Sequence, residues 1–344
     1  MSEESRFPML HLSVGPYIRH GETVTSIMLW VVGALVPAVA ASCYFFGIQS
    51  LLLIGSCIAA CIATEGILSQ FLFKQSAALL DCSAIVTGLL LALSLPPRLP
   101  IWMAILGSVF AMALAKWLFG GLGNNIVNPA MAGRAFLMLS FPAVMIRFVA
   151  PLHGTISGLE AGIDGIAQAT PLTAMRAALA SGRFEPLVFQ DALGSLFFGT
   201  TGGCIGETSA AALILGAIIL WYKRIIGFSI PFTFIGSAFL LFWLFNGTGT
   251  YFTSEAAIVP VYQILSGGFL LAAFFIATEP VTSPITAGGR VIFGLGCGII
   301  TFCIRRFGSY PEGVCFAVLL MNLTTPLIDR WVRPRPFGKA VAHV

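Results

Sequence analysis

One short stretch decides the fold of this chain: SAIVTGLLLALSLPP, residues Ser83 to Pro97. Its apolar run ends at Leu95, and the pair Pro96-Pro97 stops a helix from continuing. At ~1.5 Å per residue, a helix over this run reaches roughly 20 Å, which does not cross a hydrocarbon core ~30 Å thick. Half-helices of this kind are tolerated only when they are buried in protein or line a cavity. The stretch therefore predicts a broken helix inside a membrane bundle.

The composition is also that of a membrane protein. Hydrophobic residues make up 58% of the 344 residues and charged residues 9%, with a mean hydropathy of +0.95. A soluble protein cannot bury so much apolar surface, so lipid must be the main solvent. The net charge is only +4 and no basic block alternates with aromatic residues, which excludes nucleic acid as a partner. The eight cysteines form no Cys-x-x-Cys pair, so we expect no iron–sulfur cluster held by this chain alone.

Apolar segments recur along the whole chain. A spanning helix needs roughly 20 apolar residues, and ten segments approach this length or form interrupted versions of it. We therefore predict an all-α polytopic membrane protein with about ten transmembrane helices in contact with membrane lipid. The ten segments are 24–46, 50–73, 83–95, 100–119, 129–147, 209–222, 227–246, 260–278, 289–304 and 313–328.

Lysine and arginine predict the orientation, because short cytoplasmic loops are enriched in them. With both termini cytoplasmic, Arg305 and Arg306 are exceptions on the outer side, and residues 148–208 form an outer loop. Nine basic residues then fall inside: Arg6, Arg19, Lys74, Lys223, Arg224, Arg330, Arg333, Arg335 and Lys339. The predicted divisions are a cytoplasmic segment 1–23, a first membrane repeat 24–147, the loop 148–208, a second membrane repeat 209–330 and a cytoplasmic tail 331–344. Residues 1–21 lack the pattern of a cleaved signal peptide.

The two halves of the chain resemble each other weakly. Each has five apolar segments, a proline-containing break such as Pro96-Pro97 or Glu279-Pro280, and a later glycine-rich turn with proline. Since five is odd, a repeat would be inverted across the membrane. Two inverted five-helix repeats with broken helices are typical of transporters that bind their substrate near the midplane.

One water-compatible segment carries a second motif: Asp164-Gly165-Ile166-Ala167-Gln168-Ala169-Thr170. It resembles the Asp-x-x-(Ser/Thr)-Gly-Ala-Thr signature of proteins that carry FMN as a phosphoester on the final threonine. Asp164, Ala169 and Thr170 keep the frame of that signature. Ala167-Gln168 departs from the Ser/Thr-Gly that is usual at the centre of the signature.

The residues that follow predict a helix with Thr170 as its N-cap. Pro171 at the first helical position and Gly182 beyond the end bracket about 11 residues. The free N–H groups and the positive end of the helix dipole would then face a phosphate on Thr170. Ordinary capping by the Thr170 hydroxyl explains the same pattern. Thr173 is the nearest alternative hydroxyl, and Arg176 lies two turns further on.

Longer sequence blocks carry a family resemblance. Residues Asp81 to Pro97, Asn128 to Phe136, Tyr310 to Ala317 and Pro326 to Arg330 resemble conserved blocks of the D subunit of the Rnf electron-transport complex. The related B subunit of the sodium-pumping quinone reductase shares the flavin motif but usually has a longer N-terminal extension. The resemblance runs nearly end to end and favours the Rnf D family.

This resemblance implies a function. It implies a membrane flavoprotein subunit of a redox-driven pump, in which electron transfer between ferredoxin and NAD is coupled to Na⁺ or H⁺ translocation. FMN would be attached to Thr170 by a flavin transferase in a periplasmic loop of the bacterial inner membrane. The partners would be the other membrane and peripheral Rnf subunits. Some members of the family also hold a non-covalent riboflavin.

Polar residues within or beside the apolar segments form a second group of candidates. Charges at membrane depth are costly and usually face a bundle interior or a water path. Glu65, Asp81, Asn128 and Glu279 therefore form a predicted ion path or second flavin pocket, although Asp81 is also placed to cap the run from Ser83. Arg134, Glu312 and Asp329 belong to the same group of charged residues, and ordinary interfacial placement or a helix-tying pair is the simpler interpretation of the group.

Two other functions fit part of the pattern. The broken helices alone predict a channel or carrier for a small solute without a redox role. The departure at Ala167-Gln168 also fits a structural anchor that has lost its flavin.

Overall fold

The computed structural model describes residues 23–72, 81–149, 151, 170–181, 186–245, 257–308 and 312–333. Helices dominate these residues, which confirms the predicted all-α class. Asp164 and Ala169 of the flavin motif, and Gly182 at the predicted helix end, lie outside the described residues.

The first half contains six helices in the described ranges, and the longer ones follow the predicted segments. Two of them continue into tighter or wider turns: α2 runs on as a π-helix over Leu68–Leu72, and α4 continues through a π-helix, Ala111–Lys116, and a 3₁₀ turn, Trp117–Phe119. The helices are α1 Val24–Phe46, α2 Ile48–Ile67, α3 Ser83–Leu93, α4 Ile101–Phe110, α5 Pro129–Ser140 and α6 Pro142–Met145.

The remaining helices cover the predicted loop and the second half. In the loop, α7 was predicted from Thr170-Pro171, whereas α8 was not predicted. They are α7 Pro171–Ala180, α8 Pro186–Phe198, α9 Ala210–Tyr222, α10 Ser229–Leu244, α11 Ile258–Leu265, α12 Phe269–Leu271 with its π-helical continuation Ala272–Ile276, α13 Ala287–Phe307 and α14 Val314–Trp331.

Several helices are long and apolar enough to cross a membrane. Among the described residues five qualify alone, namely Val24–Phe46, Ile48–Phe71, Ile101–Phe119, Ala287–Phe307 and Val314–Trp331. A sixth span is obtained if the bent pair α11–α12 is counted as one. The chain is therefore a multi-pass membrane protein.

The short helix α3 confirms the predicted half-helix. It has only 11 residues, and nine of them are buried. Both of its ends find partners in the protein: Asp81 Oδ1 accepts the Ser83 N–H at 2.8 Å, and the carbonyls of Leu93 and Leu95 accept the N–H groups of Gly206 and Ile205 at 2.7 and 3.0 Å. The helix is thus embedded in protein, as a break inside lipid requires.

Two segments that were predicted to be continuous helices are broken. Segment 260–278 was expected to be one span, but it breaks at Ser266-Gly267-Gly268, and its two parts meet at 69°. The reason is Gly267, whose φ of 71° lies in the left-handed region. Segment 129–147 was expected to be one helix, but α5 ends at Ser140 before Pro142 begins a separate short turn.

Contacts between elements follow a regular scheme. In the first half α2 packs on α3 and α4, and α4 packs on α5. In the second half α10 packs on α11 and α13, and α13 packs on α14. The halves meet through α1 against α9 and α5 against α14. Both halves therefore contribute to one continuous buried core.

Glycines allow the close approach of α10 and α13. A Cβ at Gly298 would lie 1.9 Å from Ser237 Oγ and 2.9 Å from the carbonyl oxygen of Phe234. A Cβ at Gly294 would lie 2.0 Å from Thr233 Oγ1. Gly294 and Gly298 therefore serve close helix packing.

We expect Gly298→Ala to destabilise the chain by about 1–3 kcal/mol, because the added methyl group must push α10 away. Gly236→Ala on α10 is the matched control, since a Cβ there meets no atom within 4 Å. Thermal unfolding in detergent would show the difference as a lower midpoint for Gly298→Ala alone. Equal midpoints for the two variants would contradict the packing argument.

Candidate functional site

Thr170 lies at the start of α7 and acts as its N-cap. Its Oγ accepts the backbone N–H of Thr173 at 3.2 Å, and Pro171 occupies the first helical position. The residue is half-buried, with an extended backbone at φ −61° and ψ 155°. The predicted capping geometry is therefore confirmed. Arg176, two turns on, donates to the carbonyl oxygen of Gly308 at 2.6 Å, at the end of α13.

A small cavity opens beside Thr170. Its volume is about 30 Å³, which is room for about two water molecules at ~15 Å³ each. The start of α7, the turn before α9 and the break between α11 and α12 all contribute to its wall. The lining residues are Phe148, Thr170, Pro171, Leu172, Leu196, Thr201, Gly202, Gly203, Glu207, Thr208, Gly267 and Glu312.

Two of these lining residues belong to a buried polar group that we call the arginine cluster: Arg134, Cys204, Glu207, Arg305 and Glu312. Arg134 forms an ion pair with Glu312 and lies 3.5 Å from Cys204 Sγ. Glu312 Oε1 also accepts the N–H of Gly268 at 2.9 Å. The cluster therefore joins the first half of the chain to the break in the second half. The simpler interpretation of Arg134 and Glu312 as a helix-tying pair is confirmed.

Arg305 completes the cluster at the other side of the break. It is 5% exposed and donates to the carbonyl oxygens of Gln263 and Ser266, at the carboxyl end of α11. The negative end of a helix dipole favours a cation at this place. Arg305 was counted among the two exceptions to the charge rule, but that rule applies to loop residues beside the membrane. A buried arginine that caps a broken helix is not evidence about orientation.

Glu207 has an unusual environment within the arginine cluster. It lies between α8 and α9, where its Oε1 accepts the N–H of Cys204 at 2.6 Å. Its Oε2 is shielded from solvent and accepts no hydrogen bond from the described residues. Burial raises the pKa of Glu207 to about 7, and the neighbouring Glu312 carboxylate acts in the same direction, against Arg134 and the Cys204 N–H. The folded chain therefore favours the protonated form.

A second buried polar group, the lysine cluster, lies in the first half: Glu65, Asp81, Ser83 and Lys116. Lys116 and Glu65 form an ion pair and are 2% and 1% exposed. Lys116 Nζ also donates to Ser83 Oγ at 2.5 Å, and the Ser83 hydroxyl donates to Asp81 Oδ1 at 2.5 Å. The cluster thus anchors the amino end of α3 to α2 and α4.

A larger cavity, the central cavity, opens next to the lysine cluster. Its volume is about 230 Å³, and Ser83 and Lys116 form part of its wall. Aliphatic side chains of α1, α3 and α9 form another part. Arg224, Asn125, Asn128 and Glu279 add polar groups. The cavity is therefore apolar on one side and charged on the other, as ligand sites commonly are.

Glu279 and two asparagines form the polar wall between the halves. Glu279 accepts the Asn128 side-chain N–H at 2.7 Å and the Asn125 side-chain N–H at 3.5 Å. The Asn128 backbone N–H donates to Asn322 Oδ1 at 3.1 Å, which ties α5 to α14. Asn125 is 5% exposed, and its Oδ1 accepts no hydrogen bond from the described residues. The wall therefore leaves one acceptor beside the cavity for a ligand.

Comparison with known proteins identifies the family. A family model described as NQR2, RnfD, RnfE matches residues 11–338. The D subunit of the proton-translocating ferredoxin:NAD(+) oxidoreductase complex of Clostridium ljungdahlii is 43% identical over 329 residues, 95% of this chain and 96% of that relative. The D subunit of the Na(+)-translocating ferredoxin:NAD(+) oxidoreductase complex of Acetobacterium woodii is 40% identical over 331 residues, 96% of this chain and 95% of that relative. The D subunit of an ion-translocating oxidoreductase complex of Escherichia fergusonii is 38% identical over 354 residues, 96% of this chain and 99% of that relative.

The chain belongs to the NQR2, RnfD, RnfE family. The resemblance that the sequence blocks suggested is therefore confirmed over nearly the whole length. Within the family blocks, Asp81 and Ser83 anchor α3, and Asn128 caps α5 through its Oδ1, which accepts the Met131 N–H at 3.1 Å. Arg134 and Glu312, from two different blocks, form the ion pair of the arginine cluster.

The structure brings the four predicted polar residues together around the central cavity. Asn128 and Glu279 line it directly, whereas Glu65 and Asp81 lie behind Lys116 and Ser83. Sequence reasoning missed Lys116, although a lysine inside an apolar segment is a strong signal for a buried partner. It also counted Glu207 only as a loop charge and Cys204 only as a cysteine. Their site role depends on contacts between distant parts of the chain.

The raised pKa of Glu207 predicts a pH effect on stability. The pKa of the Glu207 carboxyl is about 7 in the folded chain, against 4.5 in the unfolded chain. Its contribution to the free energy of unfolding is therefore fully present below pH 4.5 and is lost as the pH rises through about 7. The difference in thermal midpoint, native chain minus Glu207→Gln, should therefore decrease as the pH rises from 5 to 7.5. The glutamine keeps the acceptor for the Cys204 N–H, and a constant difference across this range would contradict the pKa shift.

Proposed function

We propose that this chain is the membrane flavoprotein subunit of a redox-driven ion pump and carries FMN as a phosphoester on Thr170. The observation that carries the proposal is the position of the Thr170 hydroxyl, at the N-terminus of a helix and on the wall of a small cavity. The relatives support it, because they are named as D subunits of ion-translocating oxidoreductase complexes. The other Rnf subunits and a flavin transferase would be its partners.

The residues around Thr170 fit the phosphate part of FMN. A phosphoester there would face the amino end of α7, with the backbone N–H groups of Leu172 and Thr173, and this end of the helix dipole favours an anion. The cavity of about 30 Å³ has room for phosphoryl oxygens but not for a flavin ring. The ring system would therefore lie outside the cavity, where it can exchange electrons with partner subunits. Asp164 and Ala169 would complete the motif that the transferase recognises.

The chain would position the flavin rather than perform its chemistry. When bound, FMN supplies the electron transfer. Thr170 tethers it, α7 offsets the charge of its phosphate, and the arginine cluster holds the cavity wall against the break between α11 and α12. We place this arrangement on the periplasmic side of the bacterial inner membrane, with both termini in the cytoplasm, because the inner loops carry most of the lysine and arginine.

The bundle would consist of ten crossings in two inverted five-helix repeats. The contact scheme supports this arrangement, because the main contacts of α2 and α4 in the first half have counterparts in the second. The contacts of α2 with α3 and α4 correspond to those of α10 with α11 and α13. An inverted repeat also predicts that equivalent helices meet at the axis between the halves, as α1 with α9 and α5 with α14 do.

The central cavity would hold a second, non-covalent flavin such as riboflavin, or form part of the ion path. An uncharged flavin ring presents several hydrogen-bonding groups, and Asn125, Asn128 and Glu279 offer complementary ones beside an apolar wall. Glu65 and Asp81 would act through Lys116 and Ser83. One relative is named for proton translocation and another for sodium translocation, and the two have similar sequence identity to this chain. Sequence identity therefore favours neither ion.

The covalent attachment predicts a simple result. After co-expression with the flavin transferase and denaturing electrophoresis, the native chain should give a fluorescent band under ultraviolet light. Thr170→Ala should abolish this band because it removes the acceptor oxygen, whereas Thr170→Ser should keep it. A native chain without covalent flavin would overturn the redox proposal and favour a small-solute channel or a structural anchor.

The central cavity predicts a separate result. Acid precipitation of the purified complex should release less non-covalent flavin from Asn125→Ala than from the native protein, because one acceptor on the cavity wall is lost. Asn124→Ala is the matched control, since Asn124 is exposed and its side chain, among the described residues, donates only to the carbonyl oxygen of Gly120 at 3.4 Å. The covalent band should be unchanged in both variants. Equal release from all three proteins would exclude Asn125 from a flavin pocket.

A further inference from the structure

The hydroxyl groups of Thr170 and Thr173 are hydrogen-bonded to each other. Their Oγ atoms lie 3.1 Å apart, and Thr173 Oγ1 donates to the Thr170 carbonyl oxygen at 2.8 Å. Since a hydroxyl has only one proton, Thr173 cannot donate to Thr170 Oγ at the same time. Thr170 is therefore the donor in the bond between the two hydroxyls. Its proton points at Thr173.

Thr173 also binds Thr170 Oγ through its backbone. The backbone N–H of Thr173 donates to Thr170 Oγ at 3.2 Å. Of the two lone pairs on this oxygen, one accepts that N–H, and the other accepts no hydrogen bond from the described residues. Both hydrogen bonds of Thr170 Oγ within the described residues thus go to Thr173, and together they fix the direction of the second lone pair.

The acidic neighbour in the cavity wall does not share this role. Glu207 Oε1 accepts the Cys204 N–H. Glu207 Oε2 is shielded from solvent and lies beside Gly268, 3.5 Å from the position that a Cβ atom would take there. Its carboxyl group is therefore directed at the helix break rather than at the Thr170 hydroxyl.

We propose that Thr173 is the positioning residue for flavin attachment: its hydroxyl accepts a hydrogen bond from the Thr170 hydroxyl, and its backbone N–H orients Thr170 Oγ toward the incoming phosphorus. This inference rests on the proposed function and assigns a second residue to it. It differs from simple capping, because any residue at position 173 supplies the backbone N–H, whereas only serine or threonine supplies the hydroxyl at this distance.

The attachment is a phosphoryl-group transfer without oxidation or reduction. The donor class is a flavin dinucleotide, whose pyrophosphate bond is the activated bond. Thr170 Oγ forms a bond to the flavin-side phosphorus, the bridging P–O bond breaks, and its electron pair leaves with the nucleoside monophosphate. The Thr170 proton ends on that departing phosphate, so atoms and charge balance. Thr173 then accepts no hydrogen bond from Thr170, and its own proton would reach a phosphoryl oxygen only by turning away from the Thr170 carbonyl oxygen.

The test compares initial rates of labelling. Membranes containing the full-length chain, produced without the transferase, are mixed with purified transferase and flavin adenine dinucleotide, and the fluorescent band is followed in gels. Thr173→Val removes the hydroxyl and keeps the side-chain shape and the backbone N–H. We expect it to lower the rate about tenfold, the scale of one hydrogen bond. Thr173→Ser, which restores the hydroxyl, should label within about twofold of the native rate.

The outcomes separate this inference from the proposed function. Equal rates for the native chain and Thr173→Val, or equally slow rates for Thr173→Val and Thr173→Ser, would overturn the role of the Thr173 hydroxyl while leaving attachment at Thr170 intact. No band in the native chain, or a band that persists in Thr170→Ala, would instead overturn attachment at Thr170. The thermal midpoint of Thr173→Val should match that of the native chain, which excludes misfolding as the cause of a slow rate.

Discussion

The fold depends on one constraint: inside lipid, every broken helix end and every charge needs a partner from the protein itself. The short helix α3 satisfies it with Asp81 at its start and with the N–H groups of Ile205 and Gly206 at its end. The break between α11 and α12 satisfies it with Arg305 and Glu312. All of these partners come from outside the helix that they complete, so the breaks hold distant parts of the chain together.

The two polar clusters follow from this constraint and define the two candidate sites. The lysine cluster completes the amino end of α3 and forms one wall of the central cavity. The arginine cluster completes the break in the second half, and its Glu207 and Glu312 reach the cavity beside Thr170. A flavin attached at Thr170 would therefore sit against the same break that Arg134 ties to the first half. This gives a direct structural connection between a redox site and the transport bundle.

Local chemistry made part of this arrangement predictable from the sequence. The length of the run before Pro96 predicted α3, and Thr170-Pro171 predicted the cap and start of α7. The ion pairs were not predictable in this way, since Lys116 and Glu65 are 51 residues apart and Arg134 and Glu312 are 178 apart. The break at Gly267 was missed because apolar residues on both sides give it the hydropathy of a continuous span.

The most direct measurement of the central claim is mass spectrometry of the chain isolated from its native complex. Trypsin releases residues 148–176 as one peptide, which contains both Thr170 and Thr173. Our account predicts that this peptide is heavier by one FMN minus one water, with fragment ions that place the added mass on Thr170. Recovery of the peptide in unmodified form, or with the added mass on another residue, would contradict it.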